Sequence, residues 1–191
     1  MKLQHRKAKL FLTFASLLLL IYFATPFLTG YHYTESAALE ALVPMDFGEE
    51  IYKKEFEDRK VVILDIGDYR TVQLIHSPYG LFHQVRGADA LLAETEDGKL
   101  RYSWSARLIK EEVFDVVLAA EVLSSDIEKV VVLPNYPEVE AKTLKELQGK
   151  VNSLVEIEVE NGYAVHYFEA SEISSYAFAG VDAAGNIVSG F

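Results

Sequence analysis

Cysteine is absent from the 191 residues, which removes disulfides, thiol nucleophiles and cysteine metal ligands together. Proline occurs only five times, and there is no H-E-x-x-H, no G-x-S-x-G, no phosphate-cradling glycine loop, no EF-hand spacing and no N-x-S/T sequon. Basic residues are scarce: 18 Lys and Arg stand against 29 Asp and Glu. Four of the 18, Lys2, Arg6, Lys7 and Lys9, fall before residue 10, leaving a net charge of about −15 beyond them. That balance argues against nucleic acid, whose phosphates require cationic partners.

Long apolar runs are missing too, with one exception. Leu10 to Leu28 is 19 residues without a charge. As a helix it covers roughly 28 Å, close to the roughly 30 Å hydrocarbon layer of a bilayer. With Lys2, Arg6, Lys7 and Lys9 before it and no acidic residue until Glu35, the flanking charge predicts a cytoplasmic N-terminus. Residues 1–9 are then a basic cytoplasmic tail, 10–28 a single transmembrane helix and 31–191 an extracytoplasmic domain. A cleaved secretory signal shares the basic start and apolar core, but it requires small residues before the cut. A cut after Ala24 places Tyr22 at the third position back, and one after Gly30 places Leu28 there. An uncleaved anchor is therefore expected. The basic stub, single helix and small acidic cysteine-free domain are similar in layout to many single-pass envelope proteins of Gram-positive bacteria.

The remaining 160 or so residues suffice for one ordinary domain with its own core. Tyr31, His32 and Tyr33 follow the span at headgroup level, where amphipathic rings are favoured. Thr34 is placed to cap a short helix over TESAALEAL, which Pro44 stops. Residues 46–60 read as a strand or connector. VVILDI from Val61, TVQLIHS from Thr71 and LFHQVR from Leu81 read as strands, the last two joined as a hairpin through Ser77-Pro78-Tyr79-Gly80. Leu100 to Leu108 alternates strictly, which predicts an antiparallel strand with Trp104 in the core. VFDVVLAAEVL, residues 113–123, is ambiguous by composition; the turn at Ser124-Ser125-Asp126 and the run Val130 to Leu133 favour a strand. EVEAKTLKELQ, after Pro134 and Pro137, reads as a helix stopped by Gly149. VEIEVENGYAVHYFE reads as a hairpin about a type I′ turn at Asn161-Gly162. SYAFAGV and NIVSGF form a last pair. The fold expected is α+β: one largely antiparallel sheet covered by one or two short helices.

Few side chains suggest chemistry. With a two-residue loop, His76 would face Leu81 and Leu74 would face His83, putting both imidazoles diagonally on one face of the hairpin. They are the only weak metal candidates, and zinc would require one or two more ligands. Glu156, Glu158 and Glu160 form a negative row, and Glu94, Glu96 and Asp97 crowd a turn, a pattern that fits a solvated face better than a divalent-cation site. Tyr79, Tyr102, Trp104, Tyr136, Tyr163 and Tyr167 suit either a binding groove or sheet packing. No catalytic residue and no cofactor is implied. The functional expectation is a membrane-anchored, non-catalytic interaction module of the cell envelope, held in the lipid bilayer by residues 10–28 and meeting another membrane or envelope protein. The alternative is a membrane-tethered hydrolase or transferase whose site forms only in three dimensions.

Overall fold

The computed structural model describes residues 2–41, 48–134 and 140–190. A single helix, α1 (Lys2–Thr29), opens the chain and takes in the basic residues before the apolar run. Its stretch Lys9–Thr29 is apolar, unburied and long enough to cross a membrane, a test that an N-terminal signal sequence also passes. Then come α2 (Glu35–Glu40), β1 (Glu49–Phe56), β2 (Arg59–Asp65), β3 (Arg70–His76), β4 (Gln84–Ala90), β5 (Ala93–Glu94), β6 (Leu100–Lys110) and β7 (Val113–Val122). They are followed by β8 (Lys129–Pro134), α3 (Leu144–Lys150), β9 (Val155–Glu158), β10 (Tyr163–Ala170), β11 (Tyr176–Val181) and β12 (Ile187–Gly190). The α+β class expected from the sequence is the one observed.

Among the described residues the strands divide among three antiparallel four-stranded sheets, ordered β1-β2-β3-β4, β10-β7-β6-β5 and β12-β11-β8-β9, where the sequence suggested one. Burial makes the layering plain. Val61, Ile63, Val72 and Leu74 of the first sheet pack on Val117, Ala119 and Val165 of the second. The alternate residues of β7, Val116, Leu118 and Ala120, pack with Val130, Val132, Ile157 and Phe178 of the third. The second sheet is thus covered on both faces, so β7 carries the continuous apolar run of a doubly buried strand instead of an alternating one. Each large apolar side chain buried there contributes about 1.5–3 kcal/mol.

The two short helices close the outer faces. Leu39 of α2 covers Val62, Leu64 and Ile75, and Leu147 of α3 covers Val131, Leu133 and Val181. Thr34 caps α2 as expected, its hydroxyl accepting the Ala37 N–H at 3.2 Å. Thr143 does the same for α3, accepting the Glu146 N–H, while the Glu146 carboxylate reaches back to the Lys142 N–H. That cap starts α3 later than the sequence suggested, and Gly149 lies inside its last turn instead of ending it. The expected stop at Pro44, and Tyr136, Pro137 and residues 138–139, lie outside the described residues.

Two further expectations change. Asn161 and Gly162 have φ of 54° and 83°, the type I′ geometry, and Glu160 and Tyr163 exchange backbone hydrogen bonds at 2.8 and 3.0 Å. Beyond that bridge, however, β9 pairs with β8 and β10 pairs with β7, so the turn passes the chain from the third sheet to the second and makes no extended hairpin. Trp104 is half-buried at the rim of the second core, against Tyr176 with centroids 5.3 Å apart, and not in its centre.

Candidate functional site

The loop between β3 and β4 decides where the histidines go. It runs from Ser77 to His83 around a 3-10 turn at Pro78–Gly80, with Tyr79 at φ 58° and Gly80 at φ 65°. His76 therefore pairs with Gln84, not with Leu81. The facing of Leu74 with His83 is also lost: Leu74 pairs with Gly87, and Arg86 is the extra residue of a β-bulge. His83 pairs instead with His32, just after α1, each N–H donating to the other's carbonyl at 2.7 Å.

The two imidazoles turn to different partners. His76 lies between the Tyr31 hydroxyl, 2.9 Å from Nδ1, and Asp58 Oδ2, 3.1 Å from Nε2. Arg86 Nη2 donates to the same Tyr31 oxygen at 3.2 Å. Asp58 requires a donor, which assigns the proton to Nε2 and leaves Nδ1 to accept from Tyr31. Burial, then the Arg59 and Arg86 charges, hold His76 below the ordinary histidine pKa despite Asp58. His83 Nδ1 is 2.9 Å from Ser77 Oγ, and burial lowers its pKa as well. Among the described residues no group of three or more His, Asp or Glu is arranged to hold a metal.

From Asp58 the polar chain continues inward. Arg59 Nη1 meets Asp58 at 2.8 Å, and Arg59 Nε meets Asp115 of β7 at 3.3 Å. The Tyr167 hydroxyl donates to Asp115 at 2.6 Å, while the Arg59 guanidinium lies 5.9 Å from the Tyr167 ring centroid, within cation–π range. Burial and then Asp115 push the Tyr167 pKa far above its usual value. A hollow of about 430 Å³ lined by Phe56, Glu57, Asp58, Tyr167 and Glu169 opens beside this chain. The polar chain thus joins Tyr31, two residues after the end of α1, to the interface of the first two sheets. Chemically, Tyr31, His76 and Asp58 form a proton path, but Ser77 is only 5% exposed and does not present its hydroxyl to solvent.

Sequence reasoning singled out none of Tyr31, Asp58, Arg59, Asp115 or Tyr167 as a unit. One signal was present: Asp115 is a lone carboxylate in an apolar run, and a buried charge requires a partner. Glu121 repeats the pattern at the other end of β7, where Arg70 and Arg101 pair with it. The remaining histidine of the sheets, His166 on β10, stands edge-on to Phe56 with centroids 6.5 Å apart.

A wider cleft of about 860 Å³ lies between the second and third sheets, lined by Glu94, Asp97, Tyr102, Tyr176, Phe178 and Ser189 among others. Tyr102 and Phe178 stack along it at 4.6 Å. Asp97 accepts from Thr95 Oγ1 at 2.7 Å, Ser189 Oγ at 2.8 Å and the Lys99 N–H at 3.2 Å; burial opposes its ionisation, and these bonds outweigh burial and hold its pKa below the usual carboxylate value. Four of the other acidic residues from the sequence are also engaged: Glu94 with Arg101, Glu156 and Glu158 with Lys129, and Glu160 with Lys54. No family model, no curated protein and no solved structure matches this chain.

Proposed function

We propose that the chain is a membrane-anchored extracytoplasmic interaction module, with residues 1–9 in the cytoplasm, 10–28 across the bilayer and 31–191 outside, binding a membrane or envelope protein through its sheets. The observation that carries this reading is the join between α1 and the sheets. The apolar stretch Lys9–Thr29 is left unburied by the described residues, yet the very next residues are built into the fold through the His32–His83 pair and the Tyr31–His76 contact. An apolar helix of that length matches the hydrocarbon layer of a bilayer, and a join with no linker holds the sheets beside it. The histidines support an interaction role because the His76 imidazole and the His83 backbone secure this join, while the His83 ring is taken up by Ser77. The wide cleft, with its stacked Tyr102 and Phe178, is the concave surface best suited to a partner.

The test has two parts. Intact mass of the purified protein is expected to retain the N-terminus, and protease added outside whole cells is expected to digest residues 31–191; a mature N-terminus between Ala24 and Tyr31 overturns the anchor. Severing the sheets from α1 is expected to abolish the cellular phenotype, since tethering raises the effective concentration of a weak binder beside its partner.

A second reading, a membrane-tethered hydrolase or transferase, draws on the Tyr31–His76–Asp58 path and the Ser77–His83 contact. It requires a folded His76→Gln, His83→Gln, His166→Gln variant to be inactive while the untethered domain stays active. The interaction module requires the reverse.

A further inference from the structure

We infer that the loop between β3 and β4 is a second membrane contact: its tip, Tyr79, Leu81 and Phe82, inserts into the outer leaflet of the bilayer that α1 crosses. The inference rests on the anchor reading above and adds a docked orientation to it.

Depth is set by three contacts in succession. Gly30, at φ 69°, ends α1 in the left-handed conformation, its N–H donating to the Pro26 carbonyl at 2.9 Å, and reverses the chain. Tyr33 then lies back along the helix and stacks on Tyr22 with ring centroids 4.4 Å apart. Tyr22 is two turns, or roughly 10 Å, before the end of α1. Phe82 packs on Tyr33 at 5.7 Å, and the His32–His83 hydrogen bonds fix the loop beside it. The loop is therefore held alongside the last turns of the helix, not beyond them.

Those turns cannot be withdrawn into water. The uncharged stretch from Leu10 to Leu28 only just spans the hydrocarbon layer, and raising Tyr22 to the aqueous boundary would draw Lys9 and Lys7 into the opposite side of the apolar core at high cost. Keeping the helix in place puts the loop at the depth of the glycerol groups and upper acyl chains.

The composition of the loop fits that depth. Ser77 to Phe82 reads SPYGLF, without a charge. Leu81 is 66% exposed and Tyr79 is 94% exposed, while Tyr79 is held at φ 58°, a conformation that in an aqueous turn favours glycine or asparagine. An aromatic ring and a leucine at a membrane interface gain what they lack in water. Because Ser77 to Phe82 carries no charged side chain, insertion depends on apolar area and not on lipid charge.

The absence of cysteine makes the test clean. Leu81→Cys in the full chain, carrying a nitroxide label and reconstituted in phosphatidylcholine vesicles, is expected to collide with oxygen in preference to a water-soluble nickel chelate, and to keep that preference when phosphatidylglycerol is mixed in. Phe14→Cys, within α1, is the lipid reference, and Leu92→Cys, beyond the opposite end of β4, is the aqueous one. Tyr79→Cys repeats the measurement at a second loop position. An aqueous signal at both loop positions with Phe14 in lipid overturns the inference and leaves the anchor standing. Aqueous signals at Phe14 as well overturn the anchor and the inference together.

Discussion

Arg59 of β2 and Asp115 of β7 meet 3.3 Å apart between the first two sheets, with their side chains 6% and 1% exposed. Neither is tolerable there alone. Asp115→Asn removes the buried charge facing Arg59, which keeps only the more exposed Asp58, and weakens the acceptor of the Tyr167 hydroxyl; the expected loss approaches that of a broken buried pair, about 3–5 kcal/mol. Replacing both, Arg59→Met with Asp115→Leu, is expected to cost much less than the single change, because an apolar pair leaves no orphaned charge. Urea unfolding of the two variants separates the cases; equal losses would mean that the pair is not what holds the sheets at this end.

Stability should depend on pH at both ends of the scale. His76, His83 and His166 all have folded pKa values lowered chiefly by burial. The unfolded chain then binds protons more readily, so their contribution is present above the unfolded pKa of about 6.5 and is lost as pH falls through the lower folded values. Glu35, Asp97 and Glu160 are also lowered, against the effect of burial at Glu35 and Asp97 and chiefly by Lys54 at Glu160, so their contribution disappears only at more acid pH. At the alkaline end Tyr52 is pushed up to about 12 by burial and Glu160. Its unfolded form ionises from about 10, so stability is lost between about 10 and 12. Melting temperature followed across pH is expected to fall first near neutrality, and His76→Gln, His83→Gln, His166→Gln should flatten that first limb while leaving the carboxylate limb in place.

Gly180 of β11 packs directly beneath Ile127: a Cβ built there would lie 2.5 Å from Ile127 Cδ1. Gly180→Ala is expected to cost about 1–3 kcal/mol through overpacking. Ile127→Ala opens a cavity with a cost of its own, but in the same chain the two changes should cost less than their sum, since each relieves the other. Additive losses in denaturant unfolding would show that the clash is absorbed elsewhere.

Local pattern in the sequence was a good guide to elements and a poor one to layers. The cap at Thr34, the alternation of β6 and the turn at Asn161-Gly162 are set by nearest neighbours, and each stands where the residues indicated. Period-two alternation states that a strand has one wet face, yet it does not name the partner strand. Val155 to Glu160 alternates because β9 edges the third sheet, while Tyr163 to Val165 are buried in succession because β10 joins the second, covered on both sides. The unbroken run Val116 to Ala120 was the visible mark of a middle layer. The polar chain was less legible still: Tyr31 and His76 are 45 positions apart, Arg59 and Asp115 are 56 apart, and only the carboxylate within an apolar run pointed to a buried partner. The facing of His76 and His83 failed on loop length, since Tyr79 adopts a left-handed conformation that composition did not indicate.

The turn at Asn161-Gly162 is where all three sheets meet. It carries the chain from β9 in the third sheet to β10 in the second, and Glu160, its first residue, accepts from the Tyr52 hydroxyl of the first sheet at 3.2 Å and pairs with Lys54 at 3.1 Å. Gly162 has φ 83° with nothing within 4 Å of where a Cβ would stand, so space does not forbid a side chain and only the backbone conformation does. Gly162→Val is therefore expected to cost about 1–3 kcal/mol by strain alone, since a β-branched residue resists positive φ. Gly162→Asn is expected to cost much less, because asparagine tolerates that region. The loss should also reach the first sheet: amide exchange in β1 is expected to quicken in Gly162→Val, as the Tyr52 and Lys54 contacts to Glu160 loosen with the turn. Faster exchange confined to β9 and β10, with β1 unchanged, would show that the turn is a local connection and that the apolar core between the first two sheets, with the Arg59–Asp115 and Arg70–Glu121 pairs, holds the first sheet without it.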